Sequence, residues 1–237
     1  IKGNIALTKV DEDYPDNKLS GAVFEVYSDT NGDGKLDKDD TLLGEMKELD
    51  GGVYQMSELR YGKYLVKETK APTGFVLDED VYAVSIEENG KTYTVENKAG
   101  VGFINAAQKG SLKIVKTSSD GKVEGFSFRV TGVDYDQTFK TDKNGEIVIE
   151  GLRIGDYTVS EVSDKASAGY ILPADKQATV KVNATAIVQM HNEFRDTPKT
   201  GDDFNLGLWV SLAALSVVGA GVLGFVGYKN RKKKKED

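Results

Sequence analysis

Leu59–Glu68 reads LRYGKYLVKE and Leu152–Glu161 reads LRIGDYTVSE, so one ten-residue pattern occurs twice in the chain. In both copies tyrosine, valine and glutamate stand at alternate positions, which is the side-chain period of a β-strand. Similar short runs elsewhere are separated by turns rich in glycine, asparagine and aspartate, and no helical period appears before residue 204. The pattern therefore predicts an all-β protein up to that point.

A second pair of segments repeats with the same internal spacing. Gly3–Lys9 reads GNIALTK, and Gly110–Lys116 reads GSLKIVK. Each repeat has the length and the short strands of a β-sandwich. We therefore expect two tandem β-sandwich domains, residues 1–108 and residues 109–195, with additional residues inserted in the first.

The composition excludes several classes of function. The 237 residues include no cysteine and a single histidine, His191, which excludes disulfides, cysteine–histidine pairs and most histidine-based triads. The sequence contains no phosphate-binding loop, HExxH motif or nucleophile elbow. The net charge of −7 disfavours nucleic acid as a partner, because phosphates repel an acidic surface. We expect a protein that is not an enzyme and binds no nucleic acid.

The end of the sequence carries three features in a fixed order. Thr197–Gly201 reads TPKTG within a linker of residues 196–203, residues 204–228 carry no charge, and residues 229–237 are rich in lysine. About 20 apolar residues cross a bilayer as a helix, and basic residues stay on the cytoplasmic side. The sequence thus predicts a C-terminal transmembrane helix. This order of features resembles the cell-wall sorting signal of Gram-positive surface proteins, with Thr197 where that family usually has leucine.

The resemblance implies that a sortase cleaves between Thr200 and Gly201 and passes the Thr200 carbonyl to an amine of the peptidoglycan. Pro198 favours an extended, bent backbone that a binding groove can recognise, and Lys199 occupies the variable position. The protein would be held in the membrane only until sorting, and would then lie in the cell wall on the extracellular surface. The alternative is a plain single-pass anchor with a chance Pro-Lys-Thr-Gly sequence.

Strand alternation places three polar side chains on the apolar face of strands in each repeat. They are Lys9, Glu68 and Asn105 in the first repeat, and Lys116, Glu161 and Asn192 in the second. Burial lowers the pKa of a lysine and raises that of a glutamate, so the amine becomes nucleophilic. Its attack on the asparagine carbonyl, with glutamate moving the protons, forms an amide and releases ammonia. Spacing alone leaves another interpretation open, in which these side chains lie at sheet edges or form ordinary ion pairs.

Tyr64–Phe75 reads YLVKETKAPTGF and resembles the E-box of Gram-positive pilins and of collagen-adhesin B-type domains. The resemblance implies immunoglobulin-like, prealbumin-like sandwiches in which the E-box glutamate catalyses a Lys–Asn isopeptide bond. It gives the catalytic role to Glu68 and Glu161, and the cross-links to the lysine–asparagine pairs just named. Asn97 is the rival of Asn105. The second repeat departs from the family pattern, since no Ala-Pro pair follows Glu161.

The insertion in the first repeat reads DTNGDGKLDKDD. This is the pattern of a twelve-residue calcium loop, which has oxygen ligands at positions 1, 3, 5, 7, 9 and 12 and glycine at position 6. The predicted ligands are Asp29, Asn31, Asp33, the carbonyl of Lys35, Asp37 and Asp40. Position 12 is aspartate instead of the longer glutamate. We expect calcium to stiffen a long loop, and no helix pair to open around it.

Taken together, these patterns predict the structural stalk of a cell-wall-anchored adhesin. Its expected partners are sortase, peptidoglycan, the membrane before sorting, and a host or cell-surface ligand bound by a region that precedes Ile1. The alternative is a minor pilin, at the base or tip of a sortase-assembled pilus. A polymerising pilin uses a lysine in a Tyr-Pro-Lys context, and Tyr14–Asp16 reads YPD instead.

Overall fold

The computed structural model describes residues 1–195, and every helix or strand assigned within them is a β-strand. The first repeat contains β1 (Lys2–Asp11), β2 (Val23–Ser28), β3 (Thr41–Glu45), β4 (Lys47–Glu48), β5 (Val53–Arg60), β6 (Gly62–Lys70), β7 (Val81–Ile86), β8 (Thr92–Thr94) and β9 (Phe103–Asn105). The second contains β10 (Lys109–Ser118), β11 (Ser127–Gly132), β12 (Tyr135–Lys140), β13 (Glu146–Arg153), β14 (Gly155–Glu161), β15 (Tyr170–Ile171), β16 (Lys176–Val180) and β17 (Thr185–Phe194).

Each repeat is built from two sheets around its own core. In the first repeat one sheet has the order β4-β5-β1-β8, with β9 also paired to β1, and the other has the order β3-β2-β6-β7. In the second repeat the orders are β13-β10-β17-β15 and β12-β11-β14-β16. The two apolar cores draw on both sheets of their own repeat. The prediction of an all-β chain with two sandwich domains is confirmed.

The predicted features after the second sandwich lie outside the described residues. They are the linker 196–203 with Thr197, Pro198, Lys199, Thr200 and Gly201, the uncharged segment 204–228 and the basic tail 229–237. Within residues 1–195 no helix is long and apolar enough to cross a membrane. Ile1–Phe194 forms one compact unit.

Alternation along the first strand of each repeat supplies part of the core. Ile5, Leu7 and Lys9 in β1 are buried, and the residues between them are partly exposed. Strand β10 has the same pattern. From the opposite sheet Phe24 packs edge-on against Phe103, with ring centroids 4.9 Å apart. Aromatic rings from both sheets therefore meet beside the buried amine of Lys9.

The duplicated LRxGxY pattern forms the same corner in both repeats. Its glycine lies where the chain passes from a strand of one sheet to a strand of the other. The glycine φ is 155° in one copy and 140° in the other, values that side-chain-bearing residues rarely adopt. Two residues later the buried Tyr64 donates its hydroxyl to the carbonyl of Arg60 at 2.7 Å, and Tyr157 donates to Arg153 at 2.8 Å. Each bond satisfies a hydroxyl that enters the core, which explains why these residue types recur together.

The last strand differs between the repeats. In the second repeat β17 is continuous and pairs in parallel with β10 from Ser111 to Ser118. In the first repeat the equivalent pairing is divided: β8 pairs with Asn4–Ala6 of β1, and β9 pairs with Lys9–Asp11. Residues 95–102 lie between these two short strands. β9 therefore pairs with β1 over three residues only, and backbone bonds between residues 106–108 and residues 74–76 continue beyond it.

A buried charge pair connects the two repeats inside this compact unit. Arg153, at the end of β13, donates two hydrogen bonds to the carboxylate of Asp11, at 2.8 and 2.9 Å, and a third to Asp13 at 3.0 Å. The Asp11 side chain is 3% exposed. The guanidinium also lies over the ring of Tyr14, 5.0 Å from its centroid. A paired and hydrogen-bonded arginine is the form in which such a buried carboxylate is tolerated.

Candidate functional site

In the first repeat three of the predicted residues meet in the core. Lys9 and Glu68 are 0% exposed and Asn105 is 3% exposed. The Lys9 amine lies 3.5 Å from Oε1 of Glu68, and the Asn105 amide donates to Oε2 of the same carboxylate at 2.8 Å. The amine also donates to the carbonyl of Phe103 at 3.2 Å and lies over the Phe103 ring. The glutamate thus lies between the amine and the amide.

The register of the first and last strands sets this meeting in both repeats. In the first, Lys9 pairs with Phe103, and Asn105 lies two positions further along the parallel neighbour. In the second, Lys116 pairs with Met190, and Asn192 again lies two positions further. Residues two apart on a strand share a face. The lysine and the asparagine therefore project into the core from adjacent strands with the same offset, although the last strand is divided in only one repeat.

The second repeat places its lysine differently. Lys116 is 1% exposed and Asn192 is 0% exposed, whereas Glu161 is only partly buried. The Asn192 amide donates to Oε1 of Glu161 at 2.7 Å, as in the first repeat. The Lys116 amine donates to the carbonyl of Thr117 and lies over the Phe126 ring, 4.2 Å from its centroid. The glutamate and asparagine are in contact, and the amine lies to one side of them.

Four atoms in these clusters lack hydrogen-bond partners. They are Oε1 of Glu68, Oδ1 of Asn105, Oε2 of Glu161 and Oδ1 of Asn192. Within residues 1–195 these are the buried side-chain nitrogens and oxygens left unpaired. Leaving a buried acceptor unpaired costs about 1–3 kcal/mol, so native cores contain few of them. Both clusters thus retain the same unpaired asparagine carbonyl and the same unpaired carboxyl oxygen.

Burial shifts the ionisation of the clusters toward neutral forms. It lowers the pKa of the Lys9 amine from 10.5 to about 8, against the opposing charge of Glu68. It also lowers the pKa of Lys116, against the opposing charge of Glu161. In the same way burial raises the pKa of the Glu161 carboxyl. A less basic amine and a weaker acid are the states that nucleophilic attack and proton transfer require.

Asn97, the rival of Asn105, lies outside the cluster. Its amide bonds the backbone of Ile104 through both of its polar atoms, at 2.6 and 2.9 Å, and donates to the carboxylate of Asp78 at 2.7 Å. Asp78 in turn donates its backbone N–H to Oε2 of Glu68 at 2.9 Å. Sequence reasoning missed Asp78, and no pattern could have indicated it, because it lies in a loop between β6 and β7.

The middle of the predicted calcium loop is a series of side-chain turns between β2 and β3. Oδ1 of Asn31 accepts the backbone N–H of Asp33 at 3.0 Å, and Oδ1 of Asp33 accepts that of Lys35 at 2.8 Å. The Asn31 amide donates to Asp37 at 3.2 Å. These bonds fold the insertion back on itself.

The carboxylates at the two ends of this loop bond to its backbone. Asp29 accepts the N–H groups of two loop glycines at 2.7 and 3.1 Å, and Asp40 accepts those of Thr30 and Asp37 at 3.0 and 2.9 Å. A carboxylate has about four lone-pair sites, so these oxygens retain acceptor capacity. Across residues 1–195 no three acidic, histidine or cysteine side chains are grouped so that they could hold a metal ion. The donor types are those that calcium takes.

Solved structures resemble this chain at different levels. The Bacillus anthracis TIE protein is 26% identical with a TM-score of 0.61, over 82% of this chain and 34% of that one. The minor pilin of Streptococcus agalactiae is 17% identical with a TM-score of 0.37, over 84% and 99%. The shaft pilin SpaA of Lactobacillus rhamnosus GG is 15% identical with a TM-score of 0.38, over 82% and 98%. The chain therefore spans about a third of the TIE protein, and no curated protein matches it.

One family description matches both sandwiches. The SpaA prealbumin-like fold domain covers residues 3–99 and again residues 110–194. The two matches coincide with the two pairs of sheets and together include most of the chain. The chain therefore belongs to the family of SpaA prealbumin-like fold domains.

Proposed function

We propose that this chain is the stalk of a cell-wall-anchored surface protein, and that each sandwich closes on itself through a Lys–Asn isopeptide bond. The observation that carries the proposal is the set of four unpaired atoms, the same two in each repeat. The unpaired asparagine oxygen belongs to the carbonyl that the lysine would attack. The amide formed carries one N–H, which is a donor for the unpaired glutamate oxygen. An ordinary ion pair would leave the asparagine oxygen without a role, although in the first repeat it would use Oε1 of Glu68, which lies 3.5 Å from the Lys9 amine.

The reaction balances within the three side chains of one repeat. The neutral Nζ of Lys9 attacks Cγ of Asn105, and the Cγ–Nζ bond forms as the Cγ–Nδ2 bond breaks. The carboxyl of Glu68 accepts a proton from Nζ and supplies one to Nδ2, which leaves as ammonia. The Asn105 amide lies 2.8 Å from Oε2, within reach of that transfer. The product is a neutral amide, so the buried amine charge disappears.

The position of the bond suits a protein under tension. In each repeat the lysine stands on the first strand and the asparagine on the last, and these strands are parallel neighbours. A bond between them would enclose almost the whole sandwich in one covalent loop. Force applied to the two strands would load the amide while the sheet hydrogen bonds stay intact. In a chain without cysteine the amide would replace the disulfides of other exported proteins.

The C-terminal sequence supports covalent attachment to peptidoglycan by sortase and a place in the Gram-positive cell wall. The features are TPKTG at 197–201, the uncharged segment 204–228 and the basic tail 229–237. Replacing the threonine at the cleavage position, Thr200→Ala, should leave the protein in the membrane fraction. A wall fraction equal to that of the wild type would contradict the sorting role.

We also propose that the insertion of the first repeat binds calcium. Its ligands would be Asp29, Asn31, Asp33, the Lys35 carbonyl, Asp37 and Asp40. The donor set consists of oxygens, as calcium requires, and the loop lies between two strands. The ion would neutralise the mutual repulsion of the aspartates and hold the insertion in one conformation.

A minor pilin is the second candidate, and the resemblance of Tyr64–Phe75 to the E-box of Gram-positive pilins favours it. Both candidates use the same cross-links and the same sorting signal. They differ in whether sortase joins the protein to other pilin subunits. A sortase-dependent ladder of high molecular weight on cells supports the pilin, and a single wall-bound species supports the stalk.

The intact mass of a chain ending at Arg195 tests the cross-links directly. This chain contains the compact unit Ile1–Phe194. We expect the folded protein to weigh less than its sequence by two molecules of ammonia, one for each repeat. Proteolysis should then release peptides joined at Lys9–Asn105 and at Lys116–Asn192. A folded protein with the full sequence mass would overturn the proposal.

A further inference from the structure

The divided last strand of the first repeat creates a positioning problem. Asn105 is the final residue of β9, which pairs with β1 over only three residues. The equivalent strand β17 pairs with β10 over eight residues. The pairing with the first strand is therefore shorter in the first repeat, where the Asn105 carbonyl also accepts the N–H of Glu12 and its amide also donates to the Val76 carbonyl. A further contact holds the residue just before Asn105.

Asn97 provides that contact from the segment that divides the strand. Its Oδ1 accepts the backbone N–H of Ile104 at 2.6 Å, and its Nδ2 donates to the Ile104 carbonyl at 2.9 Å. This is the pair of bonds that a neighbouring strand would offer to an exposed edge. Ile104 stands between Phe103 and Asn105. The carbonyl of Phe103 accepts a hydrogen bond from the Lys9 amine, and the side chain of Asn105 is the group that the amine would attack. The Asn97 side chain therefore takes the place of a missing strand partner beside the reacting residue.

Asp78 connects the same side chain to the glutamate. Its carboxylate accepts hydrogen bonds from the Asn97 amide at 2.7 Å and from the Tyr82 hydroxyl at 2.8 Å. Its backbone N–H donates to Oε2 of Glu68 at 2.9 Å. Burial opposes the ionisation of Asp78, yet these hydrogen bonds and the nearby charge of Lys9 lower its pKa overall. A charged acceptor thus holds Asn97 and, through its own backbone, the carboxyl of the cluster.

We propose that Asn97 and Asp78 are positioning residues for closure of the first repeat, linking the strand that carries Asn105 to the loop that orients Glu68. The inference rests on the proposed cross-link. Neither residue contacts the reacting amine or carbonyl; both act through the backbone and through Glu68. The second repeat has no divided strand, so its closure does not depend on this pair.

The second repeat is therefore an internal control in one molecule. A chain ending at Arg195 is synthesised in a cell-free system, and samples are quenched in acid over time. Protease digestion and mass spectrometry then measure the two cross-linked peptide pairs separately. Asn97→Ala should slow the closure of Lys9–Asn105 on the order of tenfold or more, because a small displacement of reacting groups has a large effect on rate. Closure of Lys116–Asn192 should keep its wild-type rate.

Four further variants separate positioning from a general loss of structure. Asp78→Asn keeps an oxygen acceptor for Asn97 that Asp78→Ala lacks, while both keep the backbone N–H to Glu68, so Asp78→Asn should close faster than Asp78→Ala. Asn97→Asp keeps the oxygen that accepts the N–H of Ile104 but loses the N–H groups that donate to the Ile104 carbonyl and to Asp78. This variant replaces Asn97→Ala in the experiment if Asn97→Ala does not fold. Asn17→Ala, at an exposed asparagine of the same repeat, should close like the wild type.

The outcomes distinguish the positioning role of Asn97 and Asp78 from the proposed Lys–Asn cross-link on which it rests. If wild-type protein carries no cross-link in either repeat, the proposed function fails. If the wild type closes and folded Asn97→Ala and Asp78→Ala close equally fast in the first repeat, the positioning role is overturned and the cross-link stands. Equal slowing of both repeats would also overturn it, because the effect would then be general.

Discussion

The two sandwiches share a strand register but not the placement of the buried amine. In the first repeat the Lys9 amine lies 3.5 Å from Glu68, and in the second the Lys116 amine donates to Thr117 and lies over Phe126. Backbone pairing decides that lysine and asparagine project into the same core. Loop residues and aromatic side chains decide where the flexible end of the lysine rests. For the proposed cross-link, the amine of the first repeat already lies beside its glutamate, while that of the second would have to move.

Substituting the glutamate of one cluster at a time should have the largest effect on stability. Glu68→Gln should leave the first repeat open and the second closed, and Glu161→Gln should do the reverse, because an amide cannot carry protons between the reacting groups. In the chain-entropy treatment of cross-links, an open repeat loses about 4–5 kcal/mol of stability. Hydrogen exchange of strand amides, read repeat by repeat, measures the loss.

Mass spectrometry is the control for this pair of variants. Each should retain one molecule of ammonia relative to the wild type, in its own repeat only. A loss of two molecules of ammonia from the sequence mass of each variant would show that neither glutamate serves the reaction.

The next largest effect is the pH dependence of stability in a first repeat that cannot form the cross-link. In Asn105→Ala the Lys9 amine stays unreacted, with a folded-state pKa of about 8 against 10.5 for the ordinary amine. Between these values the unfolded chain binds more protons than the folded chain, so stability rises with pH, in total by about 3 kcal/mol. Below pH 8 the penalty is fully present and constant. Chemical denaturation at several pH values measures the rise.

The wild type is the reference for that rise, because an amide at Lys9, as proposed, would not titrate. Subtracting its pH profile removes the contribution of other groups. A difference profile that stays flat between pH 8 and 10.5 would mean that Lys9 is not buried as an amine in the variant.

Calcium should affect the first repeat alone. At free calcium 100 times the dissociation constant, binding to the folded state adds about 2.7 kcal/mol. Chelation should therefore speed hydrogen exchange in residues 1–108 and leave residues 110–195 unchanged. Asp29→Ala is the matched control and should make the chain insensitive to chelator. Equal exchange with and without calcium would reduce the insertion to a turn.

Removing the tyrosine hydroxyl at the corner formed by the LRxGxY pattern should have the smallest effect on stability, and the effect should be equal in the two repeats. Tyr64→Phe and Tyr157→Phe each remove one hydrogen bond to an arginine carbonyl, at 2.7 and 2.8 Å, and keep the ring. We expect each to lower the stability of its own repeat by about 1 kcal/mol. Denaturation of the two variants in parallel checks this. A large difference between them would show that the corners are not equivalent.

Much of the fold could be predicted from the sequence because strand alternation is local. The duplicated LRxGxY and GxxxxxK segments indicate two sandwiches, and alternation places Lys9 and Lys116 among buried apolar residues, as the structure does. The lysine, glutamate and asparagine of each repeat were grouped by pattern and by family resemblance. They are separated widely along the chain, yet a strand face is predictable one residue at a time.

The sequence by itself determined the class of the fold and the number of domains, and it placed Lys9 and Lys116 on the core faces of their strands. Only the tertiary structure decided the division of the last strand in the first repeat, the contacts of Asn97 and Asp78, and the pairing of Arg153 with Asp11 between the repeats. The reason is physical. Alternation and turn propensity act over a few neighbouring residues, whereas loop contacts depend on the distance between segments that meet only when the sheets have packed.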